Sequence, residues 1–353
     1  MKRSALSVLS VLSVLSVLSL PHASAASNSY TVKFEQNIPY GVSAWSQSER
    51  VRKGVGKETR FGPYEKGTAA DLANDALVER GGEAVSSQDP RETAFWQAYD
   101  DKGWYIYIQS KEPLGKELQN RLLDPLSPGR KEAYEVFFAP GLVDVPYYQI
   151  FIKPYVNEVE YYDWMMPHAD YRSLKDGTRV ESLPVEGGVG TFIFIPWHLL
   201  YERVPLEGAD WRFNLIRWMP FAKAGGVTWG GRVHETGQFG RVHFEKPTKP
   251  QREAIEKQLL QYAWFKFLAT AGQIRPFVGW DDEFVGDPEF YQTVLAPEIT
   301  RLKALGEKWG DPEQWTAAQV NEGWAHLKDF MEFDYKTSAL RTQYLEDKLF
   351  SKK

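Results

Sequence analysis

From residue 93 to residue 245 the chain is a succession of short runs of β-branched and aromatic residues, cut apart by Gly, Pro, Asp and Asn. The runs lie at 104–108, 134–138, 147–152, 156–162, 191–196, 211–218 and 240–244. Residues of this kind fit a pleated, half-buried surface, and the residues between them make turns. No helical stretch of about 10–15 residues separates one run from the next, so parallel βαβ units are not expected. The expected fold is therefore mainly β, an antiparallel immunoglobulin-like or jelly-roll β-sandwich over 93–246.

The flanks have different characters. Residues 30–34 alternate as a strand does, while 47–88 is polar and Gly-rich, so 26–92 is expected to join the sandwich as a strand and loop segment. Lys53-Gly54-Val55-Gly56-Lys57 lacks the spacing of a phosphate loop and reads as plain loop. Beyond Lys246-Pro247-Thr248-Lys249-Pro250 the pattern turns helical. Ile255, Leu259, Leu260 and Trp264 recur at three- and four-residue steps, and Gly272 is the expected stop. A second helix is expected over 297–309 and a third opens at Asp311-Pro312. A last one runs from Thr316 past Phe330, with a charged tail after it. Residues 247–353 are thus expected to form an α-helical C-terminal extension.

The first residues read as an export signal. Lys2 and Arg3 precede a Ser-Val-Leu run from 5 to 20, Pro21 breaks it, and Ala23-Ser24-Ala25 is a small-x-small cleavage site. The run is short of the ~20 apolar residues of a spanning helix. The expectation is a secreted or periplasmic protein, cut near Ala25 and without a transmembrane segment thereafter. Loss of Lys2 and Arg3 takes the net charge from -5 to -7, which argues against a nucleic-acid partner. Cysteine is absent, so stability must come from the core, and thiol catalysis and Cys-based metal sites are excluded.

Six motifs, in order, resemble those of the family 9 carbohydrate-binding modules and their wider relatives. Thr93-Ala94-Phe95-Trp96-Gln97-Ala98-Tyr99-Asp100-Asp101 followed by Trp104-Tyr105-Ile106-Tyr107 is similar to that family's early hairpin. Tyr134-Glu135-Val136-Phe137-Phe138-Ala139-Pro140-Gly141 and Tyr147-Tyr148-Gln149-Ile150 resemble its next strands. Ile195-Pro196-Trp197, Trp211-Arg212-Phe213-Asn214-Leu215-Ile216-Arg217 and Phe239-Gly240-Arg241-Val242-His243-Phe244 resemble its turn, its Asn-containing strand and its closing strand. The resemblance implies a β-sandwich, a glycan partner, a role beside polysaccharide breakdown without catalysis, a pair of tryptophans on the sugar and, in some members, a structural calcium. The wider set also includes haem-binding sandwiches.

The sequence holds 13 Trp, 18 Tyr and 20 Phe, more rings than a sugar site needs, so most belong to the core. Trp164, in the loop 163–168, Trp218, at a strand end, and Trp229, between glycine pairs, are the stacking candidates. Along 211–218 the odd residues Trp211, Phe213 and Leu215 form one face, and Asn214, Ile216 and Trp218 the other. With the odd face in the core, Asn214 and Trp218 look outward together. Arg217 then points inward and needs a carboxylate, for which Glu135 is the expected partner. These five, Trp164, Trp218, Trp229, Asn214 and Arg217, are the candidate ligand-binding residues.

Other chemistries find less support. His234, Glu235 and His243 lack zinc-protease spacing. His168 beside Met165 and Met166 could ligate haem, yet reads better as a surface loop. A glycoside hydrolase would need paired carboxylates, for which Asp281-Asp282-Glu283 and Asp100-Asp101 are candidates by type only. No Gly-x-Ser-x-Gly elbow occurs.

Overall fold

The computed structural model describes residues 28–49, 51, 59–61, 93–111, 132–164, 173–218, 226–231, 233–274 and 287–350. The strands are β1 (Ser29–Phe34), β2 (Thr59–Phe61), β3 (Thr93–Tyr99), β4 (Gly103–Lys111), β5 (Ala133–Ala139), β6 (Tyr147–Lys153), β7 (Glu158–Trp164), β8 (Arg179–Val185), β9 (Gly188–Pro196), β10 (Ala209–Trp218), β11 (Gly226–Thr228) and β12 (Gly240–Phe244). Ten of them form one hydrogen-bonded path, β7-β6-β5-β10-β12-β1-β3-β4-β9-β8, with β11 on β10 and β2 on β3. The path bends back on itself, so that Tyr161 Oη on β7 donates to the Thr178 carbonyl next to β8, at 3.5 Å. The result is a mainly β, nearly barrel-shaped sheet with a helical C-terminal region.

The bend has a physical cause in the core. Trp104 on β4 meets Phe138 on β5, Trp211 and Phe213 on β10, and Phe244 on β12, all edge-on with centroids 5.2–5.9 Å apart. Phe95 on β3 meets Phe213 at a tilt, with centroids 5.6 Å apart. Edge-to-face contact suits the ring quadrupoles, and a fully buried ring contributes about 1.5–3 kcal/mol through burial. Trp211, Phe213 and Leu215 do form the core face of β10.

The outer surface of β3, β4 and β9 is covered too. Trp45 of the short helix α1 (Val42–Ser46) stacks on Tyr107 at 5.4 Å. This second apolar layer explains why β3 and β4 read as continuous apolar runs rather than alternating ones.

Several expectations are corrected. The sheet is not wholly antiparallel, because β1 runs parallel to both neighbours. Residues 29–32 pair with β12 and 33–34 with β3, so the first strand carries the path from one half to the other. Strand β7 begins at Glu158 rather than 156 and extends to Trp164, which places that residue on a strand and not in a loop. Strand β8 went unrecognised because Arg179-Val180-Glu181-Ser182-Leu183-Pro184-Val185 is polar and carries a proline, which an edge strand tolerates.

The helical region begins with α2 (Lys249–Gln273), opened by a Thr248–Gln251 capping box. Gly272 lies inside α2 and Ile274 caps it, so the expected glycine stop is wrong. Then come α3 (Ala296–Lys308), α4 (Ala317–Trp324), α5 (Leu327–Met331) and α6 (Phe333–Phe350). Asp311-Pro312 opens only a 3-10 turn, and the charged tail is the helix α6. Leu259, Leu260 and Trp264 of α2 belong to the same apolar cluster as Leu199, Leu200 and the sheet core. Among the described residues no helix is long and apolar enough to cross a membrane.

Candidate functional site

Strand periodicity builds the site. Register sets Glu135 opposite Ile216 and Phe151, Phe137 opposite Asn214 and Gln149, Gln149 opposite Tyr162, and Tyr147 opposite Trp164. Directly opposed residues share a face, so these side chains and Trp218 stand together on the outer surface of β10, β5, β6 and β7.

A hydrogen-bonded chain runs across that surface. The Trp164 indole N–H donates to Gln149 Oε1 at 2.9 Å. Gln149 Nε2 donates to Glu135 Oε2 at 3.3 Å, and the Trp218 indole N–H donates to Glu135 Oε1 at 2.9 Å. Gln149 and Glu135 are buried, while both indoles are half-buried. Two accessible tryptophans are thus anchored by their polar edges at the two ends of one Gln–Glu pair.

The rings continue along the face. Tyr147 and Tyr162 flank Trp164 in near-parallel stacking, each with centroids 6.0 Å away. His234 stands edge-on to Trp164 at 4.8 Å, and its Nδ1 lies 2.9 Å from Tyr147 Oη. His234 reaches this place from the connection between β11 and β12 with φ of 61°, a left-handed conformation uncommon for a residue with a side chain. Phe137, Ile216 and Phe239 make the apolar floor beneath.

Burial sets the electrostatics. It pushes the Glu135 carboxyl up to about 7, although the Trp218 and Gln149 hydrogen bonds pull the other way. Burial also lowers the His234 imidazole, which favours its neutral form, and raises the Tyr147 phenol. The face therefore offers flat apolar rings with a few fixed polar groups among them. That suits a ligand with C–H faces and hydroxyl edges.

The five expected residues separate into two groups. Trp164 and Trp218 are brought together on the face. Trp229 is not there: it is 2% exposed and packs edge-on against Phe95 and Phe213, so it is a core ring. Asn214 does share the face of Trp218, but the turn 228–231 covers it. Its Oδ1 accepts from Gly230 N–H and the Thr228 hydroxyl, and its Nδ2 donates to the Gly231 carbonyl. Asn214 thus holds a turn and, at 0% exposure, is out of reach of a ligand.

Arg217 points inward and is buried, with Nη1 3.5 Å from Thr93 Oγ1. The expected Arg217–Glu135 ion pair is ruled out by register. Glu135 lies opposite Ile216, on the outer face, and serves Trp218 instead.

Glu135 as a site residue, Gln149, Tyr147, Tyr162 and His234 were missed. The signal for Glu135 was a lone carboxylate in a strand whose every other residue is apolar, Ala133–Ala139. His168, Met165, Met166, Asp281, Asp282 and Glu283 lie outside the described residues. Asp100 accepts from Lys102 N–H, Gly103 N–H and the Tyr105 hydroxyl, which makes it a turn carboxylate. Among the described residues no group of three or more His, Cys, Asp or Glu is placed to hold a metal ion.

No family model matches the chain, and no curated protein sequence matches it significantly. Two solved structures similar to it are carbohydrate-binding family 9 modules from Caldicellulosiruptor kristjanssonii, one in complex with glucose and one with cellotriose. They share 9% and 10% identity with this chain and give TM-scores of 0.39 and 0.38. Each match covers 63% of this chain, and 98% and 96% of the respective modules. With identity and TM-score this low, the functional reading rests on the residues of the face.

Proposed function

We propose that this protein is an exported, non-catalytic glycan-binding protein whose ligand lies on the outer face of β10, β5, β6 and β7. One observation carries the reading: Trp164 and Trp218 are accessible, yet each indole N–H is fixed to a buried Gln149–Glu135 pair. An accessible ring held at one edge is ready to meet the C–H face of a pyranose, and little side-chain entropy remains to be lost on binding. Tyr162, at 39% exposure, extends the platform, which favours an oligosaccharide over a single unit. Export follows from the N-terminal signal pattern, and a role beside polysaccharide breakdown from the sugar reading. The immunoglobulin-like or jelly-roll description belongs to the same proposal.

The test is affinity-gel electrophoresis of the chain against neutral plant, algal and bacterial polysaccharides, with Trp164→Ala and Trp218→Ala beside the wild type. Retardation of the wild type that either substitution removes, with the circular dichroism spectrum unchanged, supports the proposal. Retardation that survives both substitutions would place the glycan elsewhere.

A further inference from the structure

The near-closure of the sheet leaves a cleft of ≈ 570 Å³ where the edges of β7 and β8 approach. That volume falls within the ~300–1,000 Å³ range of small-ligand sites. The cleft is not part of the ring face. On β7 the even residues Glu158, Glu160, Tyr162 and Trp164 share the outer surface with their partners on β6, whereas Val159 and Tyr161 alternate to the other side and line the cleft.

Three features of the cleft are chemically specific. Tyr40 is 53% exposed, yet its ring is braced edge-on by Phe192 at 4.9 Å and Phe194 at 5.8 Å. Arg179 is exposed and has no hydrogen-bond or ion-pair partner among the described residues. Glu181, two residues along the same face of β8, makes no ion pair with Arg179. Its Oε2 accepts the Val42 N–H at 2.6 Å and holds the turn that carries Tyr40. On β7 the nearby carboxylates of Glu158 and Glu160 face the opposite side and are paired with Lys153.

We infer that this cleft is a second ligand site, separate from the ring face, for a carboxylate-bearing pyranose, that is, a uronate unit. Arg179 takes the carboxylate in the paired geometry that a guanidinium fork allows. Tyr40 covers an apolar face of the sugar ring. The second oxygen of Glu181 accepts from a ring hydroxyl. A peptide carboxylate would use Arg179 equally well but would leave the braced ring and the second Glu181 oxygen without a role.

The experiment is isothermal titration of the full chain with tetragalacturonate, cellotetraose and tetraglutamate. The wild type, Arg179→Ala, Arg179→Lys, Tyr40→Ala and Trp164→Ala are compared, each checked for an unchanged thermal transition. Tetragalacturonate is expected to bind. Arg179→Ala and Tyr40→Ala each weaken it at least tenfold, and Arg179→Lys weakens it several-fold because charge remains while the fork is lost. Trp164→Ala leaves it within twofold. Three outcomes overturn the inference: no tetragalacturonate binding to the wild type, unchanged binding to Arg179→Ala, or equal binding of tetraglutamate. Failure of the ring-face proposal shows in the other arm, as cellotetraose binding that Trp164→Ala does not alter.

Discussion

Glu135→Gln separates the charge of the central carboxylate from its shape. Glu135 is 8% exposed, and burial raises its carboxyl from 4.5 to about 7. The native state therefore holds this proton more tightly than the unfolded chain. Between pH 4.5 and about 7 the native state binds more protons, so stability falls as pH rises through that window. The cost is absent below the unfolded value and complete above the folded one, where it reaches roughly 3 kcal/mol at 1.36 kcal/mol per unit. Glutamine has the size of protonated glutamate and carries no charge at any pH; its one oxygen can accept from the Trp218 N–H, but its NH2 then faces the Gln149 Nε2 donor and that hydrogen bond is lost. Urea unfolding followed by far-UV circular dichroism at pH 4, 6 and 8 is the assay. The variant should trail by about 1–3 kcal/mol at pH 4, where it lacks the hydrogen bond from Gln149, and should gain roughly 3 kcal/mol on the wild type between pH 4 and pH 8. All other titrating groups are common to both and cancel in the difference. Parallel profiles, with the same difference between the two proteins at pH 4 and pH 8, would refute the account of a carboxylate buried against its preference.

Two further substitutions test the frame around the face. Asn214→Ala strips the acceptor of the Gly230 N–H and the Thr228 hydroxyl and should cost about 1–3 kcal/mol in urea unfolding, with no dependence on pH between 5 and 8. Gly306→Ala places a methyl 2.4 Å from the Trp264 ring, where α3 crosses α2. Overpacking of this kind costs about 1–3 kcal/mol or more, read as a lower thermal midpoint, while glycan retardation should stay as in the wild type.

What the sequence disclosed follows from how far each signal reaches along the chain. Alternation over eight residues was enough to put Trp211, Phe213 and Leu215 inside and Trp218 outside, because side-chain facing in a strand depends only on parity. The same parity could not say what lies over Asn214, since the covering turn comes from fourteen residues further on. Trp229 was misjudged for a related reason. Flanking glycines permit close approach, but here the approach is by Phe95 and Phe213 and not by a ligand.

The Arg217–Glu135 pairing failed by one position of register, which moves a side chain to the other face. The parallel placement of β1 was illegible, because a six-residue strand carries no mark of its neighbours' directions. Glu135, Gln149 and His234 come from three separate segments and meet only once β5, β6 and the connection between β11 and β12 are in place.

The most direct test of the central claim is the indole region of a ¹H–¹⁵N spectrum of the chain, recorded while a retained oligosaccharide is added. Nε1–H of Trp164 and Trp218 should shift together and saturate at one Kd, while Trp104 and Trp229, sealed in the core, stay in place. Movement of the Trp229 signal with Trp164 and Trp218 unmoved would contradict it.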